Sequence, residues 1–101
     1  MGIFETVSTQ MNEARKARDE TRLGALQGIR AAFLNELKKD NSTTLTDEAC
    51  IALLRKLEKQ RQESIDAFTN VGRADRADAE RAELAVIQTF LRHALHDGFF
   101  H

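Results

Sequence analysis

Three histidines lie close to the C-terminus, and two of them have a spacing that can hold a metal ion. His93 and His96 are three residues apart in a segment with helical character, so both imidazoles fall on one face of a helix. A metal site needs further ligands with supporting hydrogen bonds, and the rest of the sequence supplies none at a suitable spacing. Histidines near the end of a helix are also stabilised by the helix dipole alone. We therefore expect no metal site, and His101 simply closes the chain.

The other groups that could take part in catalysis have simpler structural interpretations. Cys50 lies in the first turn of a predicted helix, where the dipole can lower the pKa of a thiol, but the same position suits packing against Leu45. Glu80 and Glu83 are paired carboxylates on a polar helix, which indicates a solvated face. The sequence contains no phosphate-binding glycine loop, and no serine–histidine–acid grouping stands out. It thus predicts no catalytic residue and no cofactor.

Basic residues on either side of a predicted turn at Gly72 form the main candidate binding surface. They are Lys59, Arg61 and Arg73, and such side chains can contact RNA phosphates. A second basic group nearer the N-terminus consists of Arg15, Lys16 and Arg18. The net charge is only -1, which argues against a protein that binds nucleic acid by electrostatic attraction alone. Two interpretations stay open for the turn. It is either an RNA contact surface or a solvated helical surface whose charges form ion pairs with one another.

The composition is that of one small helical domain. The chain has 101 residues, of which 42% are hydrophobic, so it can fold around a single modest core. It has no proline and is rich in strong helix formers, which favours helix throughout. A single cysteine excludes an intramolecular disulfide and suits the cytoplasm, or the mitochondrial matrix if the source is eukaryotic. No apolar run is long enough to cross a bilayer, so we expect no membrane association.

Apolar residues spaced three and four apart predict an all-α domain of about four helices joined by short turns. The predicted helices cover roughly residues 4–18, 20–39, 47–70 and 76–96. Asp19, Thr46 and Asp75 are suitable N-caps for the second, third and fourth of them. Gly72 fits the left-handed position after the third helix, and Asp97-Gly98 should end the fourth.

Two glycines, Gly24 and Gly28, lie one turn apart inside the second predicted helix. They either let another helix backbone approach closely or are merely tolerated, each at a cost of about 1 kcal/mol relative to alanine. The sequence leaves both interpretations open.

Several short motifs occur in a fixed order along the chain. The N-terminal half contains Arg22-Leu23, Leu26-x-x-Ile29-x-Ala31-Ala32, Asn35 and Leu45-Thr46-Asp47-Glu48. The more specific part is Lys59-Gln60-Arg61-x-x-Ser64-Ile65-x-x-Phe68, Gly72-Arg73-x-Asp75-x-Ala77-x-x-Glu80-x-x-Glu83-Leu84 and Phe90-Leu91. Together these motifs resemble the GatB/YqeY family. The resemblance reaches to about Leu95 and leaves 96–101 as a short tail of the single domain 1–101.

The resemblance implies an all-helical fold related to the C-terminal tail domain of the GatB subunit of the tRNA-dependent amidotransferase. In that enzyme the tail helps to engage tRNA, while the chemistry takes place elsewhere. Free-standing members are described as amidotransferase-like, acting in carbon–nitrogen ligation with glutamine as amido donor. Members usually have a proline after the Phe/Tyr-Leu pair, which opens a second small helical domain. Arg92 stands at that position here, so we expect the second domain to be absent.

Two functions of different classes follow. The first is a non-catalytic accessory domain associated with tRNA and translation, which would contact tRNA or amidotransferase subunits through Lys59, Arg61 and Arg73. The second is a protein-interaction or assembly module that docks on a larger complex, or on itself as a homo-oligomer, through Phe99 and Phe100. We expect no catalytic activity from the isolated chain.

Overall fold

The computed structural model describes residues 2–95, which form four α-helices and, within that range, no strand. In chain order the helices are α1 (Ile3–Ala17), α2 (Glu20–Asp40), α3 (Asp47–Asn70) and α4 (Ala74–His93). Short connections make α1 and α2 one helical hairpin and α3 and α4 another. The predicted all-α domain of four helices is therefore confirmed.

Two of the three predicted N-caps are confirmed. Asp19 Oδ1 accepts a hydrogen bond from the backbone N–H of Arg22 at 3.1 Å. Thr46 Oγ1 does the same for the backbone N–H of Ala49 at 3.2 Å. Each bond satisfies an N–H group that has no partner inside its own helix, so these local signals fix where α2 and α3 begin.

The turn between α3 and α4 shows why the third predicted N-cap, Asp75, is wrong. Gly72 adopts the predicted left-handed conformation, with φ of 72°. The backbone N–H of Gly72 donates to the Thr69 carbonyl at 3.1 Å, and that of Arg73 donates to the Phe68 carbonyl at 2.8 Å. This pair of bonds closes the end of α3, and α4 begins directly afterwards with Arg73 as its N-cap.

Asp75 lies instead in the first turn of α4. Its Oδ1 accepts from Arg73 Nε at 3.3 Å. This bond, followed by one from the backbone N–H of Arg76, holds the pKa of the Asp75 carboxyl below its usual value. The end of the fourth helix predicted at Asp97 and Gly98 lies outside the described residues.

The buried side chains form a main core and a small satellite. The main core joins α1, α2, the first half of α3 and the end of α4. Its largest fully buried side chains are Phe33, Leu26, Ile29, Leu54 and Val7. The satellite consists of Ile65, Ala77 and Leu84, with Phe68 packed against it. Only α3 and α4 contribute to the satellite, so the α3–α4 hairpin extends past the main core.

The two glycines of α2 do not mark a close approach of helix backbones. A Cβ added at Gly24 would meet no described atom within 4 Å. One added at Gly28 would meet the Arg61 Nη2 atom at 3.9 Å, which is ordinary van der Waals contact. Gly24 is thus a tolerated glycine, and Gly28 borders a guanidinium group rather than a backbone.

An aspartate of α3 caps the start of α1. Asp47 Oδ1 accepts a hydrogen bond from the backbone N–H of Ile3 at 3.0 Å, across 44 positions of sequence. The N-cap residue of α1 is Gly2, which has no side chain that could make this bond. Asp47 also lies in the first turn of α3, so its charge is near the positive ends of two helices. The carboxylate therefore ties the two helix starts together.

Replacing Asp47 with alanine should lower the free energy of unfolding by about 1–2 kcal/mol, because the Ile3 N–H loses its partner and two helix starts lose a favourable charge. Glu48→Ala is the matched control, since Glu48 is an exposed acidic residue in the same first turn. Urea unfolding followed by circular dichroism measures both. Equal losses in the two variants would show that the bond to α1 contributes nothing.

Candidate functional site

A half-exposed guanidinium group joins α3 to α4 through two carboxylates. Arg61 Nη1 lies 2.6 Å from Glu80 Oε2, and Arg61 Nη2 lies 2.9 Å from Glu83 Oε2. The three side chains are 31%, 20% and 32% exposed, respectively. Charge-assisted hydrogen bonds of this length are stronger than neutral ones, and two separate partners fix the orientation of the guanidinium plane. We call Arg61, Glu80 and Glu83 the Arg61 cluster.

Helical spacing brings these three side chains to the same level of the hairpin. Arg61 follows Leu57 by four residues and precedes Ile65 by four, so it occupies the inner stripe of α3 at a position that an apolar residue would normally take. Leu57 packs against the main core and Ile65 belongs to the satellite. On α4, Glu80 and Glu83 are three residues apart and therefore project on the same side. The Arg61 cluster lies where, along α3, the main core gives way to the satellite.

The Arg61 cluster is built to hold helices together. An arginine stays protonated in proteins, and ionised carboxylates accept its hydrogen bonds, so the three groups form an ion-pair network. The solvated face predicted at Glu80 and Glu83 is wrong, because both carboxylates bind Arg61. Gly28 of α2 borders the same guanidinium, so three helices meet at this point.

Replacing Arg61 with glutamine should lower the free energy of unfolding by about 1–2 kcal/mol, since it leaves two neighbouring carboxylates without their shared cation; partial exposure keeps the loss below that of a buried pair. In a double-mutant cycle with Glu80→Gln, we expect a coupling energy of roughly 1 kcal/mol. Chemical denaturation of the two single variants and the double variant measures it.

Lys59→Gln serves as the control for this cycle, because Lys59 is a basic residue on an exposed part of α3 two positions away. It should change stability by less than about 0.5 kcal/mol. Strictly additive effects of Arg61→Gln and Glu80→Gln would contradict a structural role for the Arg61 cluster.

The three basic residues predicted as RNA contacts do not lie together. Lys59 is exposed on α3, whereas Arg61 uses Nη1 and Nη2 for α4. Arg73 lies at the tip of the hairpin and pairs with Asp75. About 13 Å of helix rise separates Arg61 from Asn70, the last residue of α3. Phe99 and Phe100, the predicted partner contacts, lie outside the described residues. All five assignments stay predictions.

A second arginine from the motifs joins α1 to α2. Arg22 Nη2 lies 3.4 Å from Gln10 Oε1 and 3.6 Å from Glu13 Oε2. These residues line a groove of about 430 Å³ that also includes Phe90 and His93 of α4. Arg22 is therefore held by polar partners on α1, in the same way that Arg61 is held by partners on α4.

Cys50 packs in the core, as its position next to Leu45 predicts. Its side chain is fully buried in the main core, against which Leu45 packs as well. Burial raises the pKa of the Cys50 thiol from 9.0 to about 12, and the negative charges of Asp47 and Glu5 add to the effect. The thiol is thus protonated at neutral pH, which rules out its use as an activated nucleophile.

Cys50 should accordingly resist alkylation in the folded protein. At pH 8 a rise in pKa from 9.0 to about 12 reduces the thiolate fraction roughly a thousandfold, and burial blocks access as well. We expect iodoacetamide labelling to be at least about a hundredfold slower in buffer than in 6 M guanidinium chloride, which unfolds the chain. Mass spectrometry over time measures both rates, and similar rates would contradict the buried assignment.

Within residues 2–95 no three metal-ligating side chains come together as a metal site would require. His93 is exposed on α4, and its predicted companions His96 and His101 lie outside the described residues. None of the four helices is long and apolar enough to span a membrane.

The tie between α3 and α4 was missed by reasoning from the sequence, although two signals pointed to it. The apolar stripe of α3 is interrupted at Arg61, and the opposite helix carries two acidic residues at helical spacing, Glu80 and Glu83. An isolated cation in one apolar stripe facing acids in the next helix indicates an interhelical ion pair. The bond between Asp47 and Ile3 has no comparable signal in the sequence.

The fold and the site together define a small all-helical domain whose motif residues join its helices. The family model described as Yqey-like protein matches residues 4–98. The chain belongs to this family, as the motif resemblance predicts.

Two curated relatives are similar to the chain. Both are named altered inheritance of mitochondria protein 41, mitochondrial. The one from Pyrenophora tritici-repentis is 27% identical over 88 residues, which is 87% of this chain and 48% of the relative. The one from Eremothecium gossypii is 30% identical over 81 residues, which is 80% of this chain and 44% of the relative. The chain thus spans about half the length of the curated relatives it matches.

Proposed function

We propose that this chain is a non-catalytic accessory domain that binds tRNA in support of translation. The observation that carries the proposal is the Arg61 cluster. The most specific motifs of the family resemblance meet in an ion pair that joins α3 to α4, with Arg61 Nη1 2.6 Å from Glu80 Oε2. A motif used in this way builds a rigid helical body, and such a body suits a binding domain.

The choice of tRNA as partner rests on the family resemblance. The related tail domain of the amidotransferase helps to engage tRNA, and the chemistry of that enzyme lies elsewhere. This chain has exposed basic side chains on several helices, among them Arg15 on α1 and Arg30 on α2. Such groups contribute the salt-dependent attraction to phosphates on which RNA binding depends.

Amidotransferase subunits are the protein partners that the same resemblance suggests, and a cytoplasmic location, or the mitochondrial matrix in a eukaryote, fits this role. Both relatives are called mitochondrial in their names. The buried, protonated Cys50 is compatible with a reducing compartment, where a thiol persists.

The proposal predicts that purified protein binds bulk tRNA with an affinity that falls as salt rises. For a surface that contacts a few phosphates, raising sodium chloride from 50 to 200 mM should weaken binding roughly tenfold or more. Gel mobility and fluorescence anisotropy measure the effect. We expect no glutamine-dependent amide transfer by the isolated chain, and a clear glutaminase or transfer activity would contradict the non-catalytic role.

A protein-interaction or assembly module is the second candidate. The hairpin extends beyond the main core and presents Val71, which is 70% exposed, at its tip. If this second candidate is correct, tRNA mobility will be unchanged, and light scattering will show a dimeric or larger mass that Phe99→Ser/Phe100→Ser reduces. A native pull-down that recovers tRNA would favour the first candidate instead.

A further inference from the structure

A groove between α1 and α2 is lined mainly by exposed polar residues. Its volume is about 330 Å³, and we call it the α1–α2 groove. The lining residues are Ser8, Met11, Asn12, Arg15 and Arg30. Met11 is buried and forms the floor, whereas the other four are exposed and polar. The groove therefore combines two guanidinium groups with a hydroxyl and an amide above an apolar base.

No acidic residue lines the α1–α2 groove. Within residues 2–95, neither Arg15 nor Arg30 has a carboxylate at salt-bridge distance. Glu13, the acid closest in sequence to Arg15 on α1, lies 3.6 Å from Arg22. Two like charges beside one groove repel each other. An anion placed between them offsets this repulsion and is itself attracted to both guanidinium groups.

The guanidinium of Arg15 is also held in place by a neutral partner. Arg15 Nη1 donates to Asn12 Oδ1 at 3.1 Å. This bond restrains the side chain without neutralising its charge, and it leaves the other N–H donors of the guanidinium for a ligand. Three arginines of the α3–α4 hairpin differ, because Arg61, Arg73 and Arg81 each bind a carboxylate.

Arginine, serine and asparagine side chains are the common donors to phosphate oxygens in nucleic-acid complexes. The planar fork of arginine suits a phosphate group in particular. A single small phosphate compound would also fit this chemistry, but an open groove with an exposed polar rim suits a continuous backbone that passes through it. Charge complementarity thus favours a ribose–phosphate backbone as the occupant.

We infer that the α1–α2 groove is the surface that contacts the phosphate backbone of RNA, with Arg15 and Arg30 as its principal contacts. This inference rests on the proposed function and places its main contact away from the hairpin residues that the sequence suggests. The hairpin then acts as a rigid support rather than as the binding face.

The test compares two double variants that remove the same charge. Arg15→Gln/Arg30→Gln removes both guanidinium groups of the groove, and Lys59→Gln/Arg73→Gln removes two exposed cations of the hairpin. Glutamine has nearly the helix propensity of arginine and lysine, so both variants should fold. Their helical circular dichroism and urea midpoints are checked first. Binding is then measured as anisotropy of fluorescently labelled bulk tRNA from 50 to 200 mM sodium chloride.

We expect the groove variant to bind tRNA about tenfold more weakly at 100 mM salt, with the slope of log affinity against log salt reduced by roughly 1.5 as two phosphate contacts are lost. The hairpin variant should stay within about threefold of the wild type, because its residues are not contacts. Wild-type affinity and slope in the groove variant would overturn the inference and leave the proposed function intact. Equal losses in both variants would overturn it too, since only net charge would matter. No binding by the wild type would instead overturn the proposed function itself.

Discussion

The ion pair between Arg61 and the carboxylates of Glu80 and Glu83 holds the part of the domain that the main core does not reach. Beyond this level, towards the turn, the buried residues are Ile65 and Ala77, which provide too little apolar surface to keep two helices in place on their own. The apolar contacts of the satellite also tolerate sliding of one helix along the other. Directed hydrogen bonds from one guanidinium to two carboxylates do not, so the Arg61 cluster sets the register as well as adding stability.

The same logic applies to other polar residues of the motifs. Arg22 binds Gln10 and Glu13 of α1, and Asp47 caps the first turn of that helix. Each of these residues connects elements that a thin core of short helices would otherwise hold loosely. These polar residues of the family motifs therefore join the helices to one another. Arg61, which the sequence suggests as an RNA contact, is in the structure one of these interhelical ties.

The sequence predicts those features that depend on neighbouring residues. Thr46 as an N-cap, Gly72 in a left-handed turn and Cys50 in the core all follow from spacing within one helix or turn. The N-cap predicted at Asp75 is wrong because one short turn both ends α3 and begins α4. The backbone bonds that end α3 reach Arg73, and α4 starts there. The interrupted apolar stripe at Arg61 signals an interhelical ion pair, but the choice of Glu80 and Glu83 as partners depends on how α3 and α4 lie against each other.

The electrostatics of the surface depend on how charges are paired rather than on how many there are. Exposed charges more than about 8–10 Å apart are largely screened at physiological salt, so the net charge of -1 says little about any one face. Arg61 and Arg73 are the prominent cations of the motifs, yet each is neutralised by carboxylates within 4 Å. Among the described residues, Arg15 has the neutral amide of Asn12 as its side-chain partner and keeps its full charge. A polyanion would thus feel an attraction at the α1–α2 groove that the sum of charges conceals, which is why we propose the contact there rather than on the hairpin.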